Sequence, residues 1–153
     1  MQVMLKHLEP VNVASFRCTG PYWKTGENIV ELYAWITEKN LFPDGPPMGI
    51  YYHNPLTTPP EQCYAEYMVP VEGKVQEEGN FSVKKIPEMD CATVFYYGQF
   101  DKEQVEEAYQ AVERWIIANN YTIAGTPREV YLNSPQKMAE GVLALEIQIP
   151  VQK

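Results

Sequence analysis

Glu129 and Tyr131 stand two residues apart in the stretch REVYLNSP, so on a strand their side chains project to one face. A carboxylate set among aromatic side chains is desolvated, which raises its pKa, and a bound cation pulls the pKa back down. Two chemistries are open to such a pair. One is recognition of positive charge; the other is activation of water by the carboxylate, with a tyrosine orienting or protonating the substrate. From Trp35 onward the chain repeats itself at an offset of 80, and the position matching Glu129 is Gly49. A residue needed only for architecture is expected in both copies. The asymmetry therefore favours a functional role, against the plainer reading of a single surface carboxylate. Tyr51 matches Tyr131, while Trp23 follows Gly20 and Tyr97 and Phe100 flank Gly98, where loops form the rim of a cleft. Aromatic faces attract cations by roughly 0.5–2 kcal/mol each; ordinary edge packing explains the same residues equally well.

Other chemistry lacks its residues. His7 and His53 are distant in sequence, lie outside any HExxH pattern and have no cysteine cluster beside them, so no metal site is expected. There is no GxSxG elbow, phosphate loop or dinucleotide fingerprint, and no cofactor is expected. Cys18 and Cys91 lack a neighbouring base and read as small buried hydrophobes. The formal charge of −8 argues against a phosphate-binding or DNA-binding surface and favours the approach of cations. Three cysteines without CxxC spacing suggest a reduced, cytoplasmic setting. The opening MQVMLKHLEP has no signal-peptide core and no stretch reaches the length of a membrane span, so no membrane association is expected. Eleven tyrosines, three tryptophans and five phenylalanines exceed what a routine core requires, and fit either a pocket for flat ligands or packing alone.

The repeat sets the frame for these residues. Trp35 returns as Trp115, Gly45 as Gly125, Tyr51 as Tyr131, Pro55 as Pro135, and Glu66 as Glu146. Upstream the offset is 78, where Val13-Ala14 matches Cys91-Ala92 and Gly20 matches Gly98. Two copies are too few for a solenoid. The expectation is one domain over residues 1–153 with internal repeats at about 1–70 and 80–151. Each repeat reads strand, helix, strand, strand. Asp101 is placed to cap the second helix, with Gln104 completing a capping box, and Val105, Ala108, Tyr109, Val112, Trp115 and Ile116 form its apolar stripe. The first helix runs from about Gly26 to Lys39, with Ile29, Leu32, Tyr33 and Ile36 inward. In LALEIQIPV, Leu143, Leu145, Ile147 and Ile149 alternate with Ala144, Glu146 and Gln148, so one face packs on helices. The fold class is α+β: duplicated units related by a pseudo-twofold axis, antiparallel sheets with helices on one face, and a central cleft. Such junctions are favoured ligand sites. The helix-free faces are expected to line the groove, carrying Tyr51, Tyr131 and Glu129, a placement that a one-residue slip would invert. Glu66 and Glu146, being symmetric, read as architecture at the solvent or sheet seam.

The G-x-Y after the first strand, the helix carrying tryptophan, the stretch from Gly125 to Pro135 and the closing LEIQIPV together resemble the GyrI-like family, in both halves of the chain. That family includes effector-binding domains of AraC-type and MerR-type multidrug regulators and stand-alone gyrase-inhibitory-like proteins. The resemblance implies a duplicated α+β domain that binds hydrophobic, often cationic, small molecules. It also implies that Glu129 is the pocket glutamate, with Tyr131, Tyr51, Trp23, Tyr97 and Phe100 as aromatic walls. The chain has no room for a helix-turn-helix domain, so direct DNA binding is not expected. Two alternatives come with the resemblance: a hydrolase of strained cyclopropane-type toxins using Glu129, and a gyrase-inhibitor-like module with a protein partner.

Overall fold

The computed structural model describes residues 1–99, 101–134, 137 and 140–153. In chain order the first elements are β1 (Met4–Leu8), β2 (Val11–Thr19), α1 (Thr25–Glu38), β3 (Phe42–Pro43), β4 (Met48–Tyr51) and β5 (Tyr64–Glu72). They are followed by β6 (Phe81–Ile86), β7 (Met89–Gln99), α2 (Lys102–Ala118), β8 (Thr122–Ile123), β9 (Arg128–Tyr131) and β10 (Val142–Gln152). The fold is mixed α+β with antiparallel strand pairing. It divides into two compact units, residues 10–87 and residues 1–9 with 88–153, called here the first-repeat and second-repeat units.

Within the first-repeat unit the strands run β4-β5-β2-β6, with β3 on β5. Within the second-repeat unit they run β1-β7-β10-β9, with β8 on β10. The sequence pattern of strand, helix, strand, strand thus omits a leading strand in each repeat. β1 precedes the first repeat yet pairs with β7, and β6 precedes the second yet pairs with β2, so the repeats exchange their leading strands. The sequences MLKHL and FSVKKI hide these strands because each is short and interrupted by basic residues, as edge strands commonly are.

Both helices form for the reasons their sequences give. Asp101 caps α2 by accepting from the backbone N–H groups of Glu103 (2.9 Å) and Gln104 (3.3 Å). Gln104 does not complete a capping box; its Oε1 accepts the Tyr96 hydroxyl at 3.0 Å instead. Just beyond the two helices, Asn40 and Asn120 adopt the left-handed conformation, at φ 58° and 63°. α1 buries Ile29, Leu32, Trp35 and Ile36, and α2 buries Ala108, Val112 and Ile116. Each large side chain so enclosed contributes about 1.5–3 kcal/mol. No helix among the described residues is long and apolar enough to cross a membrane. Gly45 and Gly125 recur because each turn crosses a proline ring: a Cβ would lie 2.9 Å from Pro70 and 3.4 Å from Pro150.

The helix-free face of each unit carries a matching ionic triad. Glu146 accepts from Lys6 (2.7 Å) and Thr93 (2.7 Å), and Glu66 accepts from Lys84 and from Ser15 (2.5 Å). Both glutamates are buried. They stand in matching places in the two units, enclosed and ion-paired rather than facing solvent. Each lysine comes from an exchanged leading strand, so the triad fixes the register of that strand.

Candidate functional site

β9 pairs with β10 so that Glu129 lies opposite Ile147 and Tyr131 opposite Leu145. Directly opposed residues of an antiparallel pair share a face, and Leu145 and Ile147 belong to the face covered by α2. The expectation that Glu129 and Tyr131 occupy the helix-free face is therefore overturned: they turn toward the helix. β9 is only four residues long, which leaves its alternation ambiguous in the sequence and its register decided by pairing with β10.

Each carboxylate oxygen of Glu129 accepts a tyrosine hydroxyl. Tyr109, on α2, donates to Oε2 at 2.5 Å, and Tyr131 donates to Oε1 at 3.0 Å. Burial pushes the Glu129 carboxyl above the ordinary carboxylate range, and the two hydroxyls offset this only in part. The arrangement is a half-buried carboxyl group, oriented from two elements, that gains from any positive charge brought beside it. The same geometry suits acceptance of a proton.

The first-repeat unit fills the equivalent place differently. A Cβ on Gly49 would lie 3.0 Å from the Tyr51 hydroxyl and 3.1 Å from its ring, so the tyrosine folds back over the glycine. Gly49 and Tyr51 lie opposite Tyr67 and Ala65, on the face toward α1. The Tyr51 hydroxyl is 3.2 Å from Thr25 Oγ1, which is 2.9 Å from the Tyr67 hydroxyl. The Tyr51 ring meets Tyr22 and Tyr67 edge-on, with centroids at 4.8 and 6.0 Å. Tyr51 therefore belongs to a hydroxyl-linked aromatic cluster, again on the helix side rather than the helix-free face.

Of the other expected wall residues, Tyr97 shares a unit with Glu129 but not its face, and Trp23 belongs to the first-repeat unit. Trp23 lies in a 3-10 turn before α1 and is 76% exposed. Tyr97 is 79% exposed and lies opposite Ala144, on the helix-free face of the strand pair whose other face carries Tyr131 and Glu129. Phe100 lies outside the described residues. Sequence reasoning missed Tyr109, which read as helix core. Its counterpart at offset 80 is Ile29, so the comparison that singled out Glu129 also singles out Tyr109. His7 also gains partners that its sequence position hides: Asp90 (2.7 Å) and Glu88 (3.1 Å), all exposed. The hydrogen bond to Asp90 raises its pKa. His53 Nδ1 accepts the backbone N–H of Tyr64 at 3.0 Å, a loop contact.

The whole chain has relatives. A curated protein of Citrobacter koseri named DNA gyrase inhibitor is 27% identical, covering 99% of this chain and 99% of its own. Among solved structures, the EcmrR C-terminal domain superposes with a TM-score of 0.81 at 23% identity, covering 99% of this chain and 98% of that one. The structure of SAV2435 bound to tetraphenylphosphonium superposes at 0.55 with 12% identity, covering 99% and 94%. The model of the GyrI-like small molecule binding domain matches residues 1–152. With the duplicated α+β architecture, that match establishes that the chain belongs to the GyrI-like small-molecule-binding domain family.

Proposed function

We propose that this domain binds hydrophobic cations, and that Glu129 is the electrostatic anchor. The observation that carries the reading is the Glu129 carboxyl itself, half-buried, held by the hydroxyls of Tyr109 and Tyr131, and raised in pKa by burial. Such a group is costly in the ionised state until a positive ligand arrives, so binding energy and charge selectivity come from one residue. The aromatic rings beside it supply apolar contact and cation–π attraction. The lipophilic cation bound to SAV2435 fits this chemistry and supplies a probe.

The test is a pair of titrations with tetraphenylphosphonium and neutral tetraphenylmethane derivatives of matched shape. Glu129→Gln keeps the volume and removes the charge. Removing one partner of a buried charge pair costs about 2–5 kcal/mol, so cation affinity falls some 30- to several-thousand-fold while neutral-ligand affinity stays. Equal loss for both ligands would mean that Glu129 supports the shape of the site rather than reading charge.

A second reading, hydrolysis, draws on the 2.5 Å contact between Tyr109 and Glu129, which pairs a raised-pKa carboxyl with a proton donor. Turnover of a strained cyclopropane substrate that Glu129→Gln abolishes without loss of binding would favour it over simple binding.

A further inference from the structure

We infer that the first-repeat unit carries a second site, on its helix-free face, that takes a planar aromatic monocarboxylate on Arg17 beside Tyr52 and Tyr64. Arg17 on β2 stands directly opposite Glu66 on β5, the placement of a cross-strand ion pair. The pair is not made. Lys84 forms the ion pair with Glu66, and Ser15 (2.5 Å) and Tyr52 (3.4 Å) donate to the same carboxylate. Arg17 Nε is enclosed and, among the described residues, has no hydrogen-bond partner. Buried donors are almost always satisfied, so an enclosed guanidinium nitrogen left over beside a fully engaged carboxylate calls for an acceptor. A guanidinium offers a rigid planar fork that matches a carboxylate, and this one has already lost part of its hydration.

The walls fit a flat ring. Tyr64 pairs with Thr19, two residues along from Arg17, which makes Tyr64 and Arg17 diagonal neighbours on one face. The Tyr64 ring lies 5.2 Å from that of Tyr52, tilted by 36°, and both are open to solvent in part. In the second-repeat unit the matching positions are Phe95, Leu132 and Ala144, so neither the arginine nor the tyrosine pair belongs to the shared architecture. The guanidinium of Arg17 offers a single positive charge, with Glu66 close by and a chain charge of −8, which selects a monoanion over a phosphate or polyanion. This site differs from the one at Glu129 in unit, face and sign of charge.

The test is an amide-resolved NMR titration of the full chain with 2-naphthoate, and in parallel with 2-naphthylmethanol, its neutral analogue. Saturable shifts are expected at Arg17, Thr19 and Tyr64, with the neutral compound roughly tenfold weaker or more. Arg17→Gln weakens naphthoate by a similar factor with the thermal midpoint unchanged or raised. Tyr52→Leu, which installs the residue of the other repeat, weakens naphthoate several-fold and covers the case in which Arg17→Gln fails to fold. The inference is overturned if naphthoate gives no saturable shift, if the shifts centre on Tyr109 and Glu129, or if the neutral analogue binds equally well.

Discussion

The two repeats place the same backbone on the same side of their sheets and use it for opposite purposes. At offset 80, Tyr109, Glu129 and Tyr131 correspond to Ile29, Gly49 and Tyr51. One copy presents a half-buried carboxyl held by two hydroxyls; the other lets Tyr51 lie over Gly49 and places its hydroxyl beside Thr25, which also meets Tyr67. The ionic triads on the opposite faces, by contrast, are kept in both copies, with Lys6, Thr93 and Glu146 matching Lys84, Ser15 and Glu66. Duplication thus separates two demands. What orders the strands is retained twice, and the carboxyl proposed as the ligand anchor appears once.

The comparison breaks most severely where the shared part is removed. Burial pushes the Glu66 carboxyl up, but Lys84 and the hydroxyls of Ser15 and Tyr52 outweigh it, and the net shift is downward. A lowered folded-state pKa contributes stability that is present above the unfolded carboxylate pKa and is lost as pH falls through the folded value. Lys84→Met should therefore cost about 2–3 kcal/mol at neutral pH, below the full 3–5 kcal/mol of a buried pair because Lys84 is 43% exposed. It should also flatten the acid limb of stability against pH, as read by denaturant melts.

A smaller effect tests the unshared part. Gly49→Ala puts a methyl group against the Tyr51 ring and should destabilise by about 1–2 kcal/mol. Combining it with Tyr51→Ala should remove most of that penalty in a double-mutant cycle. Additive losses would show that the glycine is kept for some reason other than the tyrosine above it. Smaller again is the helix start. Asp101→Ala should cost about 1 kcal/mol. Lys24, at the matching end of α1, makes no side-chain cap, and Lys24→Ala should leave the thermal midpoint nearly unchanged.

Much of this was readable from residue order. The repeat, both helices, the Asp101 cap and the shared face of Glu129 and Tyr131 follow from spacing and side-chain chemistry. The choice of face does not, because it rests on the pairing of a four-residue strand with β10, a contact between distant segments. The exchanged leading strands escaped for a related reason: their pairing partners lie across the repeat boundary. One signal was nevertheless present, since Lys6 and Lys84 are separated by the same 78 residues as Ala14 and Ala92. Tyr109 was hidden in an apolar helix stripe where a tyrosine serves as core equally well, and only its mismatch with Ile29 marks it.

The least perturbing test looks at Glu129 directly. Its raised folded-state pKa means that its contribution to stability is full below the unfolded carboxylate pKa and is lost as pH rises through the folded value. Glu129→Gln should then stabilise the ligand-free protein at neutral pH by about 0.5–1 kcal/mol. The central measurement is the pH titration of the Glu129 side-chain carboxyl by carbon-13 NMR, assigned with Glu129→Gln, without ligand and with saturating tetraphenylphosphonium. Glu129 should titrate above the ordinary carboxylate range in the free protein and shift downward when the cation binds. A carboxyl that titrates in the ordinary range and does not move when the cation is bound would contradict the account.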